Sequence, residues 1–262
     1  MLRHIWEYRQ FIFSCVKRDF LSKYKGSILG LVWSVLQPLA LIIIYTVVFS
    51  EIMRNKLAGM ENVTFAYSLY LCSGILTWNL FQETLTSSVN VFLQNSNLMK
   101  KVSFPRICLP VITMCSAFLN FMIGFSLFLL FLVIISAFPI ESFLSVLVVL
   151  FVQIAFSLTL GIGLGVLNVF FRDVGQFLNV ILQFWFWFTP VVYPINIVPK
   201  YFQTLLTINP MFSVIKSYQN IFVYNTWPEW QGLGIVFLIS LIMGYWALHI
   251  YRKHVGEMVD EL

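Results

Sequence analysis

Ser22-Lys23-Tyr24-Lys25-Gly26-Ser27-Ile28-Leu29-Gly30-Leu31-Val32-Trp33-Ser34-Val35-Leu36-Gln37-Pro38 is the stretch that decides the fold. A basic approach segment runs straight into an apolar span that continues to Ser50, roughly the 20 residues needed for one helical crossing of a bilayer. Lys17, Arg18, Lys23 and Lys25 are costly to move through hydrocarbon, which keeps this side of the span in the cytoplasm.

The rest of the chain agrees with that beginning. Its 262 residues are 60% hydrophobic and 10% charged, whereas a soluble domain carries about 25% charge. The expectation is an all-α polytopic membrane protein. The net charge of +5 comes from basic residues at the ends of apolar spans, so it reads as topology and not as nucleic-acid binding. Cys15, Cys72, Cys108 and Cys115 form no Cys-x-x-Cys pair and read as buried apolar residues. No cleavable leader is expected, because about thirty polar and amphipathic residues precede the first long apolar run.

Residues 4–25 have helical periodicity. Ile5, Tyr8, Ile12, Phe13, Val16, Phe20 and Tyr24 fall on one side, and Glu7, Gln10, Ser14, Lys17, Arg18 and Lys25 on the other. Residues 1–29 are therefore expected to form a cytoplasmic amphipathic interfacial helix, and 30–262 a transmembrane domain. Six crossings are placed over 30–52, 66–92, 108–136, 143–170, 176–193 and 233–251. The segments then assigned to the cytoplasm hold Arg3, Arg9, Lys17, Arg18, Lys23, Lys25, Lys100, Lys101, Arg106, Arg172, Arg252 and Lys253, against only Arg54, Lys56, Lys200 and Lys216 outside. Twelve against four puts both termini in the cytoplasm.

The segment 189–231 is too apolar for an ordinary loop and is broken by Pro190, Pro194, Pro199 and Asn209-Pro210. Proline removes a donor and clashes with the preceding turn, so short re-entrant helices between spans 5 and 6 are expected. A seventh crossing over 201–223 is the rival. Gly161, Gly163 and Gly165 lack the spacing of a nucleotide loop. Ser157, Gly161 and Gly165 instead make a small-residue face for helix packing, and Gly26, Gly30 and Ser34 read the same way.

The chain has no Gly-x-x-x-x-Gly-Lys-Ser/Thr loop, no His-Glu-x-x-His and no Gly-x-Ser-x-Gly. Its aspartates are Asp19, Asp173 and Asp260, and its histidines lie near the termini. Neither a catalytic nor a metal site is expected. Glu83 is the one acid well inside a span, with no Lys or Arg inside a span to pair with it. Such a carboxylate faces a wet cavity or the subunit interior, or it packs by hydrogen bonds near Asn79, Gln82 and Asn90. The run Phe184-Trp185-Phe186-Trp187-Phe188 covers all sides of its helix, so some of its rings face something other than lipid.

Four blocks of residues resemble the membrane subunit of ABC-2 type exporters, in the polysaccharide and polyol-phosphate group of O-antigen, capsule and teichoic acid permeases. The first is Lys23-Tyr24-Lys25 with Leu29-Gly30, Trp33 and Gln37-Pro38. The second is Gly74, Trp78 and Phe81, then Asn95, Leu98, Lys101, Phe104-Pro105-Arg106 and Pro110. The third is Asn168 with Phe171-Arg172-Asp173, and the fourth Thr189-Pro190-Val191, Tyr193 and Asn209-Pro210.

The resemblance implies a homodimer paired with two cytoplasmic ATPase subunits. ATP and magnesium would bind to those subunits, with no cofactor in this chain. The cargo would be a lipid-linked polysaccharide, O-antigen before capsule or teichoic acid, moved across the inner membrane among membrane lipids. It also implies a coupling helix over 95–106. Lys17, Arg18, Asn95, Leu98, Lys100, Lys101, Phe104, Arg106, Arg172 and Asp173 would face the ATPase. Trp33, Tyr45, Trp78, Phe81, Trp185 and Tyr193 are expected to line the glycan path, because rings stack on sugars without demanding a register. Outside the family, a secondary transporter needs intramembrane ion-coupling groups and internal repeats, and a membrane glycan enzyme needs a cluster of titratable groups.

Overall fold

A computed structural model describes residues 6–23, 25–52, 65–101 and 104–261, without the side chains of 50–52, 101, 259 and 260. Arg3, His4, Tyr24, Arg54, Lys56 and most of the expected external segment 53–65 lie outside the described residues, as does the Lys101 side chain.

Every regular element among the described residues is a helix. Helix α1 (Arg9–Lys23) is followed by a single 3-10 turn (Gly30–Val32), then α2 (Trp33–Tyr45) and a π-helical extension (Thr46–Ile52). Next come α3 (Ala66–Gln94), the short α4 (Ser96–Lys101), α5 (Cys108–Ile134) and α6 (Ser145–Phe170). Helix α7 (Asp173–Trp187) precedes the short α8 (Lys200–Ile208) and α9 (Pro210–Phe222), and α10 (Trp230–His254) ends in a turn, α11 (Glu257–Asp260).

Four of these stretches are long and apolar enough to cross a membrane: Gly30–Phe49, Cys108–Ile134, Ser145–Phe170 and Trp230–His254. Helix α3 has the length, 29 residues, which is about 43 Å at 1.5 Å per residue. It fails on composition because Ser, Thr, Asn, Gln and Glu recur along it. Helix α7 is shorter than a crossing requires, at 15 residues.

Helix α3 is the centre of the bundle, packed by α2, α5, α6, α7 and α9. The Ser157–Gly161–Gly165 face meets it as expected. A Cβ on Gly161 would lie 2.6 Å from Ser88 Cβ, and one on Gly165 2.8 Å from the Ser88 carbonyl oxygen. Gly26 and Gly30 act differently from the expectation. Their φ angles of +86° and +50° require glycine, and nothing of this chain lies within 4 Å of where a Cβ would sit. They turn the backbone between α1 and α2 and meet no helix among the described residues.

The stretch 201–223 is not one helix. Asn209 ends α8 with an extended backbone, and its side chain accepts from Met211 N to cap α9. The two pieces have 9 and 13 residues, each shorter than the ~20 residues of a crossing. Helix α9 is largely buried against α3, α6 and α10.

The apolar interior has two parts. The larger is built around α3 and includes the rings of Phe81, Phe128, Phe156 and Phe222. The smaller lies at the end of the bundle that holds α1, α4 and the C-terminal turn. There α1 docks on α5 through Ile12, Cys15 and Val16. Phe13, expected on that apolar side, instead points outward at 71% exposure. Cys15 is buried, and burial pushes its thiol above the ordinary range, consistent with an inert packing residue.

Candidate functional site

From Ser68 to Phe92, α3 is buried except at Asn79, Gln82, Glu83, Thr86, Ser87 and Asn90. Every exposed or half-buried residue in that range is polar, and the spacing of three and four puts all of them on one helix face. The stripe is held in place from within. Thr86 Oγ1 donates to the Gln82 carbonyl (2.7 Å), Asn90 Nδ2 to the Thr86 carbonyl (2.9 Å), and Trp78 Nε1 to Gln82 Oε1 (3.0 Å).

Helix α7 flanks the stripe. At one end Asn168, on the last turn of α6, ties three elements together. Its Nδ2 donates to the Val89 carbonyl (3.0 Å) and to Asn90 Oδ1 (3.3 Å), and its Oδ1 accepts from Gly175 N (2.8 Å). Gly175 must be small here, since a Cβ would lie 3.0 Å from Asn90 Oδ1. At the other end the Trp78 and Phe186 rings meet edge to face, 5.5 Å apart. Between these contacts α7 exposes Asn179 and Gln183.

On the other side of the stripe, α2, α3 and α5 enclose an alcove of about 410 Å³. Glu83 sits in it, and its Oε1 accepts from Lys23 Nζ and from Asn120 Nδ2, both at 2.6 Å. A basic residue from outside the spans thus reaches the one acid well inside a span. Lys23 lies outside every span, at the end of α1, and its side chain reaches Glu83 of α3. Asn120 Oδ1 is buried without a hydrogen bond among the described residues.

The six ring positions expected to line a path differ in their surroundings within the chain. Phe81 is 0% and Trp78 2% exposed. With Phe156 and Trp185 they make a knot that welds α3, α6 and α7. Phe81 stacks on Phe156 at 5.9 Å and meets Trp185 edge-on at 5.2 Å. The heptad-like register that exposes Asn79 and Gln82 turns Trp78 and Phe81 inward. Trp185 Nε1 donates to Asn209 Oδ1 (2.7 Å), tying α7 to the break between α8 and α9, and Tyr193 OH donates to the Trp187 carbonyl (2.6 Å), holding the turn that precedes α8. Tyr45 packs half-buried on Phe49, and Trp33 is exposed at the start of α2. The aromatic run of α7 divides as its composition requires: Trp185 and Phe186 are half-buried, while Phe184, Trp187 and Phe188 are exposed.

The residues expected to face a motor protein gather more closely. Phe104 packs on Phe11 of α1 at 5.3 Å, and Leu98 joins the smaller apolar cluster. Asn95 Nδ2 caps back onto the Val91 carbonyl (2.9 Å). Arg106 Nη1 donates to the Val255 carbonyl at the end of α10. Lys17, Arg18 and Lys100 are exposed, and Arg172 and Asp173 are exposed at the α6–α7 turn. Sequence reasoning missed α11, whose Met258 is fully buried beside α4 and α6. One apolar residue in a polar tail was its only signal.

Residues 10–223 match the family model of the ABC-2 type transporter. The chain is 26% identical to the O-antigen export system permease protein RfbA of Myxococcus xanthus, over 100% of this chain and 99% of that protein. It is 28% identical to an O-antigen export system permease protein RfbA of Klebsiella pneumoniae, over 90% and 88%. The polysialic acid transport protein KpsM of Escherichia coli is 21% identical over 92% of each chain.

Proposed function

The chain belongs to the ABC-2 type transporter family, and from that premise we propose that it is the permease subunit that exports a lipid-linked polysaccharide, O-antigen in the first place, across the bacterial inner membrane. The observation that carries the reading is the polar stripe of α3. Between Ser68 and Phe92 a helix surrounded by apolar spans presents only Asn79, Gln82, Glu83, Thr86, Ser87 and Asn90. Polar side chains in that position face water, because hydrocarbon offers them no partners. A hydrated groove suits a polyhydroxylated polymer, which needs weak, repeated contacts to move.

In this reading the membrane is crossed six times, by α2, α3, α5, α6, α7 and α10. Helices α8 and α9 are re-entrant, and both termini are cytoplasmic. Helix α1 lies along the inner leaflet, with Lys17 and Arg18 among the headgroups. Two copies close the groove about a two-fold axis. The α4 segment with Asn95, Leu98, Lys100, Lys101, Phe104 and Arg106, and the Arg172–Asp173 turn, take the push of two ATPase subunits that bind ATP and magnesium. The path is lined by the stripe and by exposed rings at its rim, Trp33 and Trp187, and not by Trp78 or Phe81. The similarity to KpsM makes capsule export the second reading.

The test is deletion of the gene and its return on a plasmid. The expected result is loss of surface glycan with lipid-linked glycan retained inside, reversed by the plasmid. Undiminished surface glycan in the deletion strain would contradict the reading.

A further inference from the structure

We infer that the alcove between α2, α3 and α5 is a binding subsite for one neutral, polyhydroxylated ring, a single sugar residue of the cargo. The inference rests on the export reading above and adds to it a discrete place of recognition. The alcove's volume of about 410 Å³ lies in the range of small-molecule sites. Its lining includes a carboxylate (Glu83), an ammonium (Lys23), three amides (Gln37, Asn79, Asn120) and an aromatic ring (Phe121) beside aliphatic walls from α2 and α3.

The hydrogen-bond inventory selects the ligand. Glu83 Oε1 already takes Lys23 and Asn120, and Oε2 has no hydrogen-bond partner among the described residues. Asn120 Oδ1 is buried and unpaired among them, a state that asks for a donor. The amides of Gln37 and Asn79 make no hydrogen bond among the described residues, and each offers both a donor and an acceptor. Hydroxyl groups donate and accept at once, so they match this mixture. A phosphate does not, because Glu83 repels it and Lys23 is already engaged. A cation does not, because the ammonium stands on the carboxylate. Asn79 and Glu83 also belong to the α3 stripe, so the alcove opens on the groove through which the polymer passes.

The test uses the complex of this chain with its ATPase in nanodiscs, and as probe the glycan released by mild acid from the cells' own exported polysaccharide. Binding is read by tryptophan fluorescence. Saturable binding to the wild-type complex is expected. Glu83→Gln and Asn120→Ala should each weaken it about tenfold or more, the worth of a hydrogen bond to a charged or buried partner. The double variant Lys23→Met/Glu83→Gln should stay weak even though it removes the unpaired charge. A double variant that regains wild-type affinity and thermal stability would reduce Glu83 and Lys23 to a structural ion pair and overturn the subsite. Wild-type affinity in both single variants, or no saturable binding to the wild-type complex, would also overturn it. None of these results touches the export reading, which only undiminished surface glycan in the deletion strain contradicts.

Discussion

Helices α3 and α10 are of similar length, 29 and 25 residues, and they meet their surroundings in opposite ways. Helix α10 packs on α6 through small residues, with Gly244 against Thr159 and Ala247 against Gly163, and turns Ile235, Leu238, Leu241, Ile242, Tyr245 and Trp246 outward. Helix α3 buries its rings and aliphatics and turns amides, hydroxyls and a carboxylate outward. In a bilayer the first pattern is solvated by lipid and the second by water. Hydropathy alone ranks α10 as a span and passes over α3. The difference between them is the ground on which the proposed groove is placed along α3.

The contrast is broken most severely by attacking what α3 hides. Phe81→Ala removes a fully buried ring from the knot with Phe156 and Trp185, and is expected to cost about 3–5 kcal/mol. Thermal unfolding of the purified complex checks this, and a variant with wild-type stability would remove the knot from the account. On the other helix, Ile242→Asp puts a charge at 71% exposure in mid-span, at about 3 kcal/mol for insertion. Thr86→Asp on the stripe should keep normal membrane levels, read by quantitative blotting. Equal losses from both would mean that both faces meet lipid.

A smaller effect is expected at the joint between the two environments. Asn168→Ala leaves Gly175 N and Asn90 Oδ1 without their partner, at about 1–3 kcal/mol. It should also loosen the hold of α3 on α7, so that ATP hydrolysis by the complex continues while export falls. Coupled loss of both activities would make Asn168 merely a packing residue.

Much of the architecture was legible because it depends on short-range rules. Apolar length fixed where α2, α5, α6 and α10 run, and Asn209-Pro210 fixed the break between α8 and α9. The spacing of Ser157, Gly161 and Gly165 fixed the α6 face that meets α3. The stripe was also present as spacing, since Asn79, Gln82, Glu83, Thr86, Ser87 and Asn90 recur every three or four residues. Spacing alone does not show that this polar face stays unburied while the rings between its members turn inward. The pairing of Lys23 with Glu83 was not legible, because it spans 60 residues and depends on how the Gly26–Gly30 turn aims the end of α1. The buried state of Trp78 and Phe81 was also hidden, since a family motif marks a residue without saying which way it points.

The central claim is that the α3 stripe faces a water-filled path occupied by glycan. The most direct measurement is thiol labelling in a background with Cys15, Cys72, Cys108 and Cys115 replaced. Gln82→Cys and Ile242→Cys are compared in inverted membrane vesicles with a membrane-impermeant maleimide. The account predicts rapid labelling at position 82, slowed when lipid-linked glycan is present, and none at position 242. Labelling at 242 with none at 82, or labelling at 82 that glycan leaves unchanged, would contradict it.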